Sequence, residues 1–198
     1  MRLAPVLYAC LILSACGPSL APSAAVTPGE IGGTIASAPR ISNPPVAPPT
    51  PPGTNLPDFA CSDASGGKTG VANSIAARMS EQPGYDRFVM QFDSIIPTYT
   101  VKRQAKPEFT LGASGQNVTL AGKAGVLVTV HSATGATTFS GPTDIAHPEY
   151  QVLNEARQTQ DFEGYVSWGL GLSRAACMRV FTLQDPARLV VDFTTVGS

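Results

Sequence analysis

Gly84-Tyr85-Asp86-Arg87-Phe88-Val89-Met90-Gln91-Phe92-Asp93 is the stretch on which the fold turns. Phe88, Met90 and Phe92 alternate with Arg87, Gln91 and Asp93, and only Val89 breaks the pattern by sitting on the polar side. Successive side chains of a β-strand point to opposite faces, so a period of two marks a strand with one buried face. The same alternation returns at Tyr99-Val101, Val118-Leu120, Val126-Val128-Val130, Phe162-Val166-Trp168 and Leu189-Val191-Phe193. Gly, Pro, Asn or Ser bounds each run. Short strands punctuated in this way predict an all-β, antiparallel sandwich rather than βαβ units. Two segments fit a helix as well: Val71-Ile75-Met79, which is assigned to a strand, and Val152-Leu153-Ala156, which stays open.

Working outward, these strands occupy only part of the chain. The protein has 198 residues, 43% apolar and 14% charged, with a formal net charge of −1. Without a basic excess to neutralise phosphates, nucleic acid is excluded as a partner. The 18 prolines are unevenly spread: Gly17 to Pro57 holds 11 of them and just two charged residues, Glu30 and Arg40. Such a segment buries too little apolar surface to offset its ordering entropy, and reads as a disordered tether with polyproline II character. Residues 58–198 keep 11 basic and 13 acidic residues, a length and balance that suit one sandwich domain.

The start of the chain reads as an address. Met1-Arg2 precedes an apolar run from Leu3 to Ala15, too short to span a bilayer and of the form of a secretory signal. The run ends in Leu13-Ser14-Ala15-Cys16, which resembles a bacterial lipobox. The expectation is a signal peptide over 1–15, a lipidated Cys16 with the tether over 16–57, and the sandwich over 58–198. The membrane is then a partner through two or three acyl chains, enough for stable anchoring. The compartment is extracytoplasmic.

With Cys16 acylated, Cys61 and Cys177 are the remaining cysteines of the mature chain. In an oxidising compartment they are candidates for a disulfide, with two separate thiols as the alternative. No Cys-x-x-Cys or neighbouring His suggests a metal, and no cofactor is called for. His131, at the end of an apolar strand, and His147, before a proline, read as structural or surface residues. Ser65-Gly-Gly-Lys-Thr69 approaches a phosphate-binding loop but lacks its first glycine, and reads as an ordinary loop.

Asp161-Phe-Glu-Gly-Tyr-Val-Ser-Trp-Gly-Leu-Gly-Leu172 carries the candidate ligand chemistry. Taken as one strand, it sets Asp161, Glu163 and Tyr165 on one face, with Phe162, Val166 and Trp168 on the other. Acids at i and i+2 stand roughly 7 Å apart, a spacing a glycosidase pair could use. The same face could bind carbohydrate instead, with Tyr165 as a stacking platform.

Two stretches carry a family resemblance. Gly84 to Asp93 resembles the opening of the AMIN-like domain of bacterial lipoproteins, and Pro186-Ala-Arg-Leu-Val-Val-Asp-Phe193 resembles its close. The 161–172 stretch lies between them, as in that family. The resemblance implies a β-sandwich that acts as a non-catalytic localising module binding peptidoglycan or a related envelope glycan. Tyr85 and Asp86 join Asp161, Glu163 and Tyr165 as candidate ligand-binding residues. Arg87, Asp93, Arg188 and Asp192 stand on polar strand faces and are candidates for register-fixing ion pairs. The chain ends five residues after Phe193, so the module is expected to work on its tether or with another envelope protein. Recruitment of such a protein, and glycan hydrolysis, are the competing readings.

Overall fold

The computed structural model describes residues 55–197. The expected signal peptide, the expected lipidation site Cys16 and most of the expected tether lie outside the described residues. Among the described residues all regular structure is strand: β1 (Ala64–Gly66), β2 (Ala72–Gln82), β3 (Tyr85–Phe92), β4 (Tyr99–Gln104), β5 (Glu108–Thr110), β6 (Asn117–Thr119), β7 (Ala124–His131), β8 (Ala133–Thr134), β9 (Asp144–Ala146), β10 (Leu153–Phe162), β11 (Tyr165–Leu172), β12 (Met178–Leu183) and β13 (Arg188–Thr194). They form a six-stranded sheet, β1-β4-β7-β11-β10-β9, and a five-stranded sheet, β12-β13-β3-β2-β8. A short β5-β6 ribbon stands apart. Every ladder is antiparallel except β2 with β8. The protein is an all-β, sandwich-like fold.

The alternating residues supply the core. Phe88, Met90 and Phe92 of β3 and Leu189, Val191 and Phe193 of β13 join one buried cluster with Val126, Val128 and Val130 of β7 and Val166, Trp168 and Leu170 of β11. Trp168 lies 5.6 Å from the Phe88 ring and 5.9 Å from Phe139. Val89, the exception in the alternation, faces away from this core yet is buried. Its register neighbour is Val190, whose own neighbour is Phe181, so the three make an apolar row on the outer face of the five-stranded sheet.

The Trp168-Gly-Leu-Gly-Leu172 run has a packing logic. Its large residues point inward, and its glycines leave the outer face bare for the chain between β4 and β7. A Cβ on Gly169 would sit 2.8 Å from the Phe109 ring, and one on Gly125 would sit 3.0 Å from it. A Cβ on Gly171 would run into the Ala121 carbonyl. The glycines are therefore the seat on which Phe109 and the β5-β6 ribbon lie.

Two segments part from expectation or resolve it. Val152-Leu153-Ala156, left open above, is the start of β10. The 161–172 stretch is not one strand: β10 ends at Phe162, Glu163 and Gly164 form a tight turn, and β11 begins at Tyr165. Both turn residues have positive φ, 51° and 78°, the left-handed pair that suits a two-residue hairpin. Phe162 then pairs with Tyr165. It shares that residue's outer face and is 59% exposed, rather than sharing the core face of Val166 and Trp168.

Asp86 also departs from its expected role. It is fully buried, and its Oδ2 accepts the backbone N–H groups of Val152 at 2.7 Å and Leu153 at 3.0 Å. The carboxylate thus clips β3, in one sheet, to the start of β10 in the other, and it is closed to a ligand. Asp86→Ala leaves two buried donors unpaired, and is expected to lower the unfolding free energy by about 2–4 kcal/mol. Urea unfolding checks it, and a loss below about 0.5 kcal/mol would remove the clip from the account.

Candidate functional site

Strand register assembles a surface on the outer face of the six-stranded sheet. Because Val128, Val130, Val166 and Trp168 point into the core, the residues between them point out. His131 pairs with Tyr165, and Tyr165 with Phe162, giving an aromatic row across β7, β11 and β10. The His131 and Tyr165 rings meet edge to face at 5.0 Å, and Tyr165 is 42% exposed. Two residues further along each strand, Thr100, Thr129, Ser167 and Gln160 are paired in turn, forming a row of hydroxyls and an amide over four strands. The Thr129 and Ser167 hydroxyls share a hydrogen bond of 3.2 Å.

The β5-β6 ribbon walls this surface. Phe109 rests on the glycines of β7 and β11, and Gly112 donates its N–H to the Thr159 carbonyl at 2.8 Å. Two cavities result. One, of about 260 Å³, lies among Gln104, Phe109, Thr129, Gln160 and Ser167. The other, of about 310 Å³, runs from Leu111 to Phe162. Thr159 and Gln160 line both, so the two form one groove.

Of the three residues expected to act together here, only Tyr165 stands on the groove's aromatic rim. The turn moves Glu163 to the hairpin tip. Asp161 pairs with Val166, and its carboxylate accepts the Thr134 hydroxyl at 3.0 Å and the Gly135 N–H at 2.9 Å. The paired acids of a hydrolase are therefore not brought together on one strand face. Phe162, Gln160, Thr129 and Ser167 were not singled out from sequence. The Glu163-Gly164 pair was the signal that could have found Phe162.

The outer face of the five-stranded sheet holds a different arrangement. Asp192 is fully buried, between Arg87 of β3 and Arg179 of β12, its register neighbours on either side. It accepts Arg87 Nε at 2.6 Å and Nη2 at 2.9 Å, and Arg179 Nε at 2.7 Å. The hydrogen bond to Asp192 raises the Arg87 pKa above its ordinary value. Aromatic rings interleave with the guanidiniums: Arg179 lies 4.5 Å from Phe59 and 4.6 Å from Tyr85, and Arg87 lies 5.1 Å from Tyr85 and 5.5 Å from Phe181. Tyr85, expected to meet a ligand, is instead a rung of this ladder. Asp93 and Arg188 stand apart from it. Asp93 accepts the backbone and side-chain N–H groups of Asn73, at 3.0 and 2.7 Å, which hold its carboxyl below the ordinary value. Arg188 donates to the Pro186 carbonyl and forms no ion pair among the described residues.

Among the described residues no group of three or more His, Cys, Asp or Glu is arranged to hold a metal. Cys61 and Cys177 form a disulfide, a bond of oxidising, extracytoplasmic compartments. No curated protein matches the chain. The family model of the AMIN-like domain matches residues 73–195, from the start of β2 to the end of β13, taking in both sheets and the Arg87–Asp192 pair. The chain belongs to the AMIN-like domain family, whose members are modules of the cell envelope.

Proposed function

We propose that the chain is a non-catalytic, membrane-anchored lipoprotein of the bacterial cell envelope whose sandwich binds peptidoglycan or a related envelope glycan. Cys16 carries the lipid and residues 16–57 are the spacer. The outer face of the six-stranded sheet is the binding surface. The observation that carries the reading is the aromatic row His131-Tyr165-Phe162 running beside the polar row Thr129-Ser167-Gln160. Sugars are recognised by that combination. An aromatic ring takes the flat C–H face of a pyranose through dispersion, while hydroxyls and amides hydrogen-bond its rim.

The full chain in detergent is expected to sediment with purified sacculi, and replacing Tyr165 and Phe162 together by Ala to reduce the affinity about tenfold. Retention no greater than that of an unrelated sandwich protein would overturn the reading. A second reading, recruitment of an envelope protein, draws on the outer edge of β12. There Met178 bridges to Ala60, and the strand beyond it has no further ladder partner among the described residues, which suits strand addition.

A further inference from the structure

We propose that the outer edge of β12 takes the same edge of a second copy of this chain, antiparallel about a two-fold axis at Phe181, joining two five-stranded sheets into one. This goes beyond the glycan reading and does not depend on it; it names an occupant for the edge on which the second reading draws. Hydrogen bonding defines the site. Met178 exchanges both backbone hydrogen bonds with Ala60, so its N–H and C=O point away from β13. Backbone groups alternate sides along an antiparallel strand, so those of Val180 and Thr182 point the same way. Neither meets a backbone partner there among the described residues, and Thr182 is exposed. The other strands at sheet edges, β1, β8 and β9, are only two or three residues long. Past Ile75 the outer edge of β2 has no ladder partner either, but Arg78 and Glu81 stand exposed along it, and such charges blunt an edge. From Val180 to Leu183, β12 carries no charge, no proline and no irregular pairing.

The edge is complementary to itself. Ala60 closes it at Met178 and the turn after Leu183 closes the other end, so Arg179–Leu183 is free and Phe181 lies at its centre. Antiparallel pairing centred there sets Val180 opposite Thr182 of the second copy. Both are residues whose N–H and C=O face outward, so each such pair exchanges both backbone hydrogen bonds. Phe181 then faces Phe181 of the second copy in a non-hydrogen-bonded pair, where side chains stand closest. Phe181 already ends the outer-face row Val89-Val190-Phe181, and the two-fold carries that apolar row unbroken into the second sheet. No like charges are set opposite each other along the paired stretch: Arg179, bound to Asp192, faces Leu183 of the second copy. The chain's own proline-rich segment is unsuited to the edge, since Pro44, Pro45, Pro48, Pro49, Pro51 and Pro52 lack the N–H a ladder needs.

Sedimentation equilibrium of the full chain in detergent tests this. A concentration-dependent dimer is expected. Val180→Pro, which removes an outward N–H and no bond to β13, is expected to weaken it at least about tenfold. Should Val180→Pro not fold, Phe181→Glu replaces it, setting two carboxylates against each other at the axis. Under mild oxidation Phe181→Cys is expected to link two chains, and Gln184→Cys, beyond the paired stretch, to link none. A monomer at every concentration would overturn the proposal, and so would a dimer that a folded edge variant leaves intact. In intact cells, a link from Phe181→Cys to a different protein in place of a second copy would overturn it in favour of the second reading. Sacculus sedimentation is read separately: a monomer retained by sacculi overturns this proposal alone, and a dimer not retained overturns the glycan reading alone.

Discussion

Asp192→Ala is expected to lower the unfolding free energy by about 3–5 kcal/mol, the scale of breaking a buried ion pair from one side. Asp192 has no exposed surface although it points away from the core. It is covered by the two arginines it binds and by the rings between which they lie. Removing the carboxylate leaves the Arg87 and Arg179 guanidiniums facing each other across one strand, with side chains only 22% and 12% exposed. Like charges so placed repel, and neither can reach water without giving up its aromatic neighbours. Asp192→Asn should recover little, since one neutral amide cannot offset two positive charges. Denaturant unfolding of the two variants reads this directly. A loss below about 1 kcal/mol for the alanine variant, the scale of an exposed pair, would mean that the cluster is not the brace described here.

This cluster also marks how far sequence reading reaches. Arg87 and Asp192 stand out because each lies on the polar side of a strongly alternating strand. Arg179 does not: Met178-Arg-Val-Phe181 shows no polar stripe, and only the register of β12 on β13 brings its guanidinium to Asp192. Partners at 87, 179 and 192 come together through strand order, which a period of two does not encode. The groove was hidden for the same reason. Thr100, Thr129, Gln160 and Ser167 are unremarkable polar residues on four strands, and they become a row only once those strands are laid side by side.

The misreading of 161–172 has a more local cause. Alternation read straight through a two-residue loop assigns the wrong face to everything on one side of it. Phe162 and Tyr165 differ in parity, yet they pair across the Glu163-Gly164 turn and share a face. Asp161 accordingly falls on the face of Val166, away from Tyr165. Glutamate is not a usual first residue of such a turn, so the hairpin signal was weak although its glycine was present. By contrast, β3, β7 and β13 were legible because three large apolar residues of each share one parity, although Val89, Leu127 and Val190 fall on the other.

Cys61→Ser is expected to cost still more than Asp192→Ala, roughly 5 kcal/mol, because the Cys61–Cys177 bond closes a loop with a sequence separation of 116 residues. In the chain-entropy model the gain comes from restricting the unfolded chain and grows slowly with loop length. Native contacts add a reason for the bond to lie where it does. Next to it, Ala60 and Met178 exchange both backbone hydrogen bonds, at 2.8 and 2.9 Å, and Arg103 donates to the Cys61 carbonyl. One residue further out, Phe59 covers the Arg179 guanidinium. The disulfide therefore fixes the segment that precedes β1 against β12 and keeps Phe59 over the Asp192 cluster. Loss of the bond and loss of Asp192 should not be additive, since both free Arg179 from its packing, and a double-mutant cycle is expected to return a coupling of about 0.5–2 kcal/mol. Urea unfolding of wild type, each single variant and the double variant measures all of these quantities. Additive losses would uncouple the bond from the cluster, and a cysteine variant within about 1 kcal/mol of wild type would show that the segment before β1 holds its place without a covalent link.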